Sequence, residues 1–181
     1  EEKLSIARLL EEMKVDIIEA GFPIASNGDF NSVQAISREI KNCQIAGLAR
    51  AKKEDIQIAW DAIKDAVNPR IHTFIATSPI HMQFKLKLSE DQVLDKIRES
   101  VSFARNLCPN IEWCCEDGGR SSIEFLYRCI ELAIDSGAST INIPDTVGYT
   151  IPHEFGQIIK NVNRCLLNKK EIHRPTLFDL N

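Results

Sequence analysis

The chain has 181 residues, of which 44% are hydrophobic and 27% are charged, close to the average of a globular domain. Its formal net charge of -4 and its scattered basic residues argue against a nucleic-acid partner, because nucleic-acid-binding proteins carry a basic patch or stripe. No apolar stretch approaches the roughly 20 residues needed to span a bilayer, so no membrane partner is expected either.

The cysteines indicate a reducing compartment. They lie at positions 43, 108, 114, 115, 129 and 165, without CxxC spacing and mostly within apolar periodic segments. This pattern is typical of reduced, buried thiols and favours a cytoplasmic protein. An alternative is that the adjacent Cys114 and Cys115 bind a soft metal or sense redox state.

Two sequence patterns alternate along the chain. Five β-rich runs predict strands at residues 15–21, 44–49, 70–76, 111–115 and 140–143. Around them, apolar residues recur at i, i+3, i+4 and i+7, which predicts six amphipathic helices. In chain order the periodic positions are Ile6, Leu9, Leu10 and Met13; Phe30, Val33, Ile36 and Ile40; Ile56, Ala59, Trp60, Ile63 and Val67; Val93, Ile97, Val101, Ala104 and Leu107; Leu126, Cys129, Ile130 and Ala133; Phe155, Ile158, Ile159, Val162 and Leu166.

The strand–helix repeat predicts an α/β fold with parallel strands and right-handed crossovers. An open doubly wound sheet and a barrel both fit this repeat, but the strands at 70–76 and 111–115 mix polar with apolar residues. A central strand of a doubly wound sheet is more uniformly apolar. We therefore expect a partial TIM (β/α)₈ barrel of about five βα units at residues 1–167, since a whole barrel takes about 250 residues. Residues 168–181 lose the pattern and are expected to form a divergent tail.

Polar residues gather where the predicted strands end. In parallel barrels the active site is built from the loops at the carboxyl ends of the strands. The convergence there of acids, hydroxyls and guanidinium groups therefore favours a functional site. The clusters lie at residues 19–29, 48–50, 77–81, 116–121 and 144–148.

Several of these residues have purely structural alternatives. Asp29 and Ser121 could be helix N-caps, His72 could be a hydrogen-bonded core residue, and Glu116 with Arg120 could form a loop ion pair. No histidine pair has HxH or HxxxH spacing and no HExxH is present. The spacing alone therefore indicates no metal site.

Six segments in order resemble the 2-isopropylmalate synthase family, whose relatives include homocitrate and citramalate synthases. The resemblance extends from residue 1 to about 167. The segments that carry it are Val15–Pro23, Ser26–Phe30, Gly47–Arg50, Arg70–Met82, Glu116–Ser121 and Thr140–Thr150.

The resemblance implies an acyltransferase of leucine (branched-chain amino-acid) biosynthesis. Such enzymes condense acetyl-CoA, the co-substrate, with 3-methyl-2-oxobutanoate to give 2-isopropylmalate. They use a divalent metal, Mg or Mn, as a Lewis acid, and the full-length parent is expected to be a homodimer. The alternatives are a sister homocitrate or citramalate synthase, and a non-catalytic barrel fragment that acts as an interaction module.

The resemblance also implies roles for individual residues. Glu116 would be the catalytic carboxylate near the reacting centre. Leu48 would pack against the side chain of the 2-oxo acid, and Thr146 would hydrogen-bond its carboxylate. His72 and His81 would line the mouth of the barrel.

The chain departs from the family pattern at several points. Cys114 stands where a substrate-facing serine is usual, which replaces a hydroxyl by a weaker hydrogen-bonding thiol. The family's Arg-Asp-Gly-Glu-Gln and His-x-His-Asn-Asp motifs, which supply metal ligands, are absent from the sequence. We therefore expect the metal ligands and the regulatory domain to lie outside this chain, and the chain alone to be inactive.

Overall fold

The computed structural model describes residues 1–167 and the backbone of residues 177–179. The strands are β1 (Ile17–Gly21), β2 (Gln44–Arg50), β3 (Pro69–Ala76), β4 (Ile111–Glu116), β5 (Thr140–Asn142) and β6 (Leu177–Asp179). The helices are α1 (Glu2–Glu12), α2 (Asn27–Glu39), α3 (Lys53–Ile63), the short α4 (Pro79–His81), α5 (Glu90–Leu107), α6 (Ile123–Asp135) and α7 (Pro152–Leu167). None of the helices in these ranges is long and apolar enough to cross a membrane.

The strands form one parallel sheet in the order β1-β2-β3-β4-β5-β6. The five predicted strands are confirmed, and a helix lies between each pair of consecutive strands, as the crossover connections of parallel strands usually contain. The sixth strand, Leu177–Asp179, pairs with β5 inside the segment that lacked a strand pattern. Within the described residues the sheet is not closed, and β1 and β6 are its edges.

The six predicted helices form, but four of the periodic apolar positions are exposed: Ile6, Leu9, Met13 and Val67. Serine side chains cap three of the helices, α2, α5 and α6. The α5 helix begins with a capping box, in which the Ser89 side chain and the Gln92 side chain satisfy each other's backbone N–H groups. Ser26 caps α2 and Ser122 caps α6. The prediction that Asp29 and Ser121 are N-caps is therefore wrong. The N-cap of α2 lies three residues before Asp29, and the N-cap of α6 lies one residue after Ser121.

The two faces of the sheet differ in chemistry. A Cβ placed on Gly47 would lie 3.0 Å from the Ile63 side chain of α3, so this side of β2 faces the helices. In register with Gly47 on that outer face are Ile71 and Ile111, both completely buried. Because side chains alternate along a strand, the neighbouring positions point to the opposite, inner face. There the central strands carry charged residues, as the interior of a functional barrel would.

All six cysteines are free thiols. Cys114 and Cys115 are consecutive on β4 and point to opposite faces of the sheet, so they do not form a joint metal site. Cys115 donates a hydrogen bond from its thiol to the Asn142 carbonyl oxygen at 3.3 Å. Burial raises the pKa of Cys115 and raises that of Cys129 to about 12, which keeps both thiols neutral.

Candidate active site

The strand register places the predicted site residues at two depths of the inner face. Leu48, His72 and Glu112 are aligned across β2, β3 and β4 and form a deep layer. Glu116 lies four residues further along β4, about 13 Å higher at the usual rise of a parallel strand. Cys114 lies midway between the two levels.

His72 is the centre of the deep layer, with only 7% of its side chain exposed. Its Nδ1 atom is hydrogen-bonded to the Glu19 carboxylate of β1. On its other side, Nε2 lies 3.6 Å from Glu112 Oε1. Leu48, half-buried on β2, is its register partner. The imidazole is thus held between carboxylates from two strands that are far apart in sequence.

A buried ion pair fixes one of those carboxylates. The Arg70 guanidinium donates to Glu112 Oε2 at 3.0 Å, and each side chain is only 4% exposed. The Asn142 side chain donates to Glu112 Oε1 at 2.9 Å. Glu112 therefore has partners on both oxygens, which a buried carboxylate needs to offset its lost hydration. Three strands, β3, β4 and β5, contribute to this arrangement.

Cys114 lies above this layer as a neutral thiol. Burial raises its pKa well above the ordinary value, and the neighbouring Cys115, Glu112, Glu19 and Glu116 act in the same direction. Because only the thiolate is a strong nucleophile, the Cys114 side chain is unsuited to covalent catalysis. It can line the site as a small, weakly polar surface.

Glu116 ends β4 at the rim. Lys85, from the π-helical turn Met82–Leu86 that follows α4, donates to its carboxylate. His81 Nδ1 lies 3.9 Å from the same oxygen. The suggested ion pair between Glu116 and Arg120 is wrong, because Arg120 pairs with Asp117 instead. The rim thus brings Glu116 and His81 together, as the strand-end clustering predicted.

Asp117 connects the rim loops, although the sequence analysis gave it no role of its own. Its backbone is left-handed, with φ of 63°, and its side chain is buried. The carboxylate accepts two-pronged hydrogen bonds from Arg120, at 2.8 Å to each oxygen, and lies 3.6 Å from His81 Nδ1. Burial alone would raise the Asp117 pKa, but hydrogen bonds from Arg120 and Ser78 outweigh it and lower the pKa.

Thr146 follows β5 and reaches the same rim. Its hydroxyl oxygen accepts a hydrogen bond from the Asp117 backbone N–H at 3.0 Å. The loop that carries Thr146 is held by Asp145, which accepts from the Tyr149 and Thr150 backbone N–H groups at 3.0 Å each. The Thr150 hydroxyl also donates to Asp145, and these hydrogen bonds lower the Asp145 pKa. Thr146 is an exposed residue of the rim.

A cavity of about 360 Å³ opens beside Glu116. Its apolar wall includes Phe74 and Leu88, and its basic side chains include Lys52 and Lys96. Of the six predicted site residues, Glu116 alone lines it. The predicted residues therefore share the inner face and rim of the sheet, whereas this cavity adjoins only one of them.

The metal implied by the resemblance finds no ligand set in the part of the chain that the structure describes. There, no group of three or more His, Cys, Asp and Glu side chains is arranged to hold a metal ion. The carboxylates of the deep layer are bound to His72, Arg70 and Asn142.

Three residues of the site were not predicted from the sequence: Glu112, Arg70 and Asn142. Glu19 was predicted only as part of a polar strand end. Each lies within or at the end of a strand, on the face opposite its apolar neighbours. The signal was present as charged residues alternating with Ile71 and Ile111. Charged and apolar residues alternate along these strands, so the charged residues share one face. In a barrel strand, which is covered on both faces, this alternation would have indicated a polar interior.

Comparison with known proteins identifies the family of the chain. The HMGL-like family profile matches residues 1–174. The chain belongs to the HMGL-like family. This HMGL-like chain is 55% identical over 168 residues to 2-isopropylmalate synthase of Halothermothrix orenii, covering 93% of the chain and 33% of that protein. It is 57% identical over 162 residues to 2-isopropylmalate synthase of Aquifex aeolicus, covering 90% of the chain and 31% of that protein.

The HMGL-like chain thus spans about a third of the length of the curated relatives it matches. Its fold is similar to that of HMG-CoA lyase from Bacillus subtilis, with a TM-score of 0.72 at 19% identity. That match covers 99% of this chain and 60% of the lyase. At such low identity the likeness concerns the fold alone, and it confirms a partial TIM barrel.

Proposed function

We propose that the HMGL-like chain forms part of a cytoplasmic acyltransferase of leucine biosynthesis, which condenses acetyl-CoA with 3-methyl-2-oxobutanoate to give 2-isopropylmalate. The observation that supports this most is the position of Glu116. It ends β4 on the inner face, beside His81 and within one residue of the Asp117–Thr146 link. The names of the relatives, at 55% and 57% identity, support the same reaction.

The layers of the inner face suggest how the 2-oxo acid would bind. Its branched side chain would point down the inner face, past Cys114 and toward Leu48. Its carboxylate would accept a hydrogen bond from the Thr146 hydroxyl at the rim. In its bond with Asp117 the hydroxyl is the acceptor, so that bond does not use its proton.

In the proposed reaction Glu116 removes a proton from the acetyl methyl group. The resulting carbanion attacks the ketone carbon of the oxo acid and forms a carbon–carbon bond, leaving an alkoxide that takes up a proton. Water then cleaves the thioester and releases CoA and a carboxylic acid. A carboxylate base must be within hydrogen-bond reach of the proton that it abstracts. Lys85 and His81 lie next to Glu116 and would hold its carboxylate in such a position.

A chimera provides the test. Residues 1–167 replace the matching segment of the Aquifex aeolicus relative, which supplies the rest of the protein. We expect acetyl-CoA-dependent release of free CoA thiol with 3-methyl-2-oxobutanoate, and a loss of about a hundredfold or more in kcat for the Glu116→Gln chimera if Glu116 is the base. The chimera carrying Glu39→Gln, which alters an exposed carboxylate far from the rim, is the matched control.

The same chimera distinguishes the alternatives. A preference for 2-oxoglutarate would indicate a homocitrate synthase, and a preference for pyruvate would indicate a citramalate synthase. A folded chimera with no thiol release from any oxo acid would contradict the enzymatic proposal and favour a non-catalytic module. The isolated 181-residue chain is expected to release no CoA, because the family motifs that supply the metal ligands are absent from its sequence.

A further inference from the structure

The cavity beside Glu116 adjoins the inner face of the sheet along one side. Phe74 lines the cavity and is the register partner of Cys114, and Ala76 lines it as the register partner of Glu116. Glu116 therefore borders two compartments, the inner face proposed for the 2-oxo acid and the cavity itself. A base that joins two substrates needs such a position, because both molecules must meet at its carboxylate.

Two basic side chains of the cavity are already paired with carboxylates. The Arg50 guanidinium donates through two nitrogens to Asp55, which is buried, and Lys85 donates to Glu116. Neither cation is left to balance the charge of an anionic ligand. A small acid such as the 2-oxo acid would therefore gain little here, whereas an uncharged ligand would meet a wall without net charge.

The turn that follows α4 supplies apolar wall to the same cavity. Leu86 and Leu88 line it, and both are partly buried. Between them Lys87 has a left-handed backbone with φ of 56°, and the Leu88 backbone N–H donates to the Met82 carbonyl oxygen at 3.1 Å. These features fix the course of the turn. The cavity volume of about 360 Å³ lies in the range of small-molecule sites, about 300–1,000 Å³.

Two further lysines of the cavity are less tightly paired. Lys96 lies 3.6 Å from Glu99 with both side chains about half exposed, and Lys52 forms no ion pair with the described part of the chain. Both lysines also line a second cavity, between the beginning of α3 and the α5 helix. The two cavities therefore adjoin at these lysines. An anionic group attached to an uncharged arm would meet both cations there.

We propose that the cavity beside Glu116 holds the uncharged pantetheine arm of acetyl-CoA, with the acetyl thioester at Glu116 and the phosphates near Lys52 and Lys96. This inference rests on the proposed function and adds residues that would bind the co-substrate. The 2-oxo acid and the thioester then reach Glu116 from different sides, with Phe74 between Cys114 and the cavity. Leu88 and Phe74 become positioning residues for the thioester arm.

Binding of free CoA to the full 181-residue chain tests this assignment, because every lining residue of the cavity belongs to this chain. Titration calorimetry should show saturable binding. Leu88→Trp places a larger side chain in the cavity and should weaken CoA binding about tenfold or more, as overpacking does. Phe84→Trp, at a position of the same turn that is 69% exposed and does not line the cavity, should leave CoA binding unchanged.

A charge reversal tests where the phosphates lie. Lys52→Glu should weaken CoA binding by about threefold or more at low ionic strength, and the difference should shrink at high salt because salt screens exposed charges. Lys160→Glu, which reverses an exposed lysine of α7, is the matched control. Equal affinities in these two variants would overturn the placement of the phosphates. Because Lys52 is exposed, this test remains decisive even if Leu88→Trp does not fold.

Kinetics of the chimera separate the two compartments. Leu88→Trp should raise the KM for acetyl-CoA and leave the KM for 3-methyl-2-oxobutanoate nearly unchanged. A rise for the oxo acid alone, or CoA binding that is equally tight in the folded Leu88→Trp chain and the parent chain, would overturn the proposal. CoA binding that depends on Leu88, in a protein whose chimera releases no CoA thiol, would uphold the cavity assignment and reject the reaction. An active chimera whose CoA binding does not depend on Leu88 would do the reverse.

Discussion

The backbone N–H of Asp117 donates a hydrogen bond to the hydroxyl oxygen of Thr146 at 3.0 Å, and this bond joins the loops that follow β4 and β5. The two residues are 29 positions apart in sequence. Asp117 can present its N–H in this direction because its backbone is left-handed, a conformation that aspartate tolerates better than most residues. The rim is therefore shaped by main-chain geometry as well as by side chains.

Thr146→Val is expected to weaken oxo-acid binding in the active chimera. Valine keeps the shape of threonine but removes the hydroxyl, so both the link to Asp117 and the proposed hydrogen bond to the substrate carboxylate are lost. A hydrogen bond to a charged group is worth about 1.5–3 kcal/mol, which corresponds to a rise in KM of about tenfold or more. Thr146→Ser, which keeps the hydroxyl, should retain most of the affinity. Equal KM values in the two variants would contradict the proposed contact.

The chain should lose stability in acid as the Asp117 carboxylate becomes protonated. Its folded-state pKa is lowered, because the Arg120 and Ser78 hydrogen bonds outweigh the opposing effect of burial. A carboxylate with a depressed folded pKa stabilises the fold above its unfolded value, about 3.9, and this contribution is lost as the pH falls through the folded pKa. Urea unfolding should therefore show a falling free energy of unfolding below about pH 4.

The control for this pH effect is Asp117→Asn. This variant should be less stable at neutral pH by about 1–3 kcal/mol, since it weakens the charge-assisted hydrogen bonds to Arg120. Its stability should also change less between neutral and acidic pH than that of the parent chain. Parallel curves for the two proteins across this range would show that Asp117 is not the group responsible.

Removing one member of the Arg70–Glu112 pair should lower the free energy of unfolding much more than replacing both members with apolar residues. Glu112→Leu or Arg70→Met alone leaves a buried charge without its partner, and we expect each to lower the free energy of unfolding by about 3–5 kcal/mol. The double variant removes both charges and should recover a large part of that loss. Denaturant unfolding of all four proteins gives the coupling. Simple additivity of the two single changes would show that the pair is not energetically linked.

The fold could be predicted from sequence because its determinants are local and periodic. The apolar positions of α5, such as Val93 and Ile97, are buried as the helical repeat requires. The rim was predictable for a topological reason, since parallel strands bring all their carboxyl ends to one side. Glu116 and His81 therefore lie together although they are 35 positions apart in sequence.

Pairing within the site could not be predicted, because it depends on register and backbone conformation. Nothing in the sequence distinguishes Arg120 bound to Asp117 from Arg120 bound to Glu116, and the left-handed turn at Asp117 decides between them. Likewise, the contact between His72 and Glu19 needs β1 and β3 to be separated by only β2. Side chains from strands that are not sequence neighbours meet only once the sheet has formed.

Two glycines should respond in opposite directions to alanine. Gly137 follows α6 with φ of 112°, and an added Cβ would lie 2.8 Å from Arg105 Cγ. Gly137→Ala should therefore cost about 1–3 kcal/mol of unfolding free energy through backbone strain. Gly156 lies inside α7, where an added Cβ meets no atom within 4 Å. Gly156→Ala should add about 0.5–1 kcal/mol, because alanine loses less conformational entropy in a helix.

Thermal and urea unfolding of these two variants beside the parent chain provide the measurement. The substitution is chemically identical, so a difference in sign isolates the effect of the backbone and its surroundings. A stabilising Gly137→Ala would mean that the α6–β5 turn can adopt another conformation and move away from Arg105. A neutral Gly156→Ala would mean that α7 gains nothing from helix propensity at this position, despite its exposure to open space.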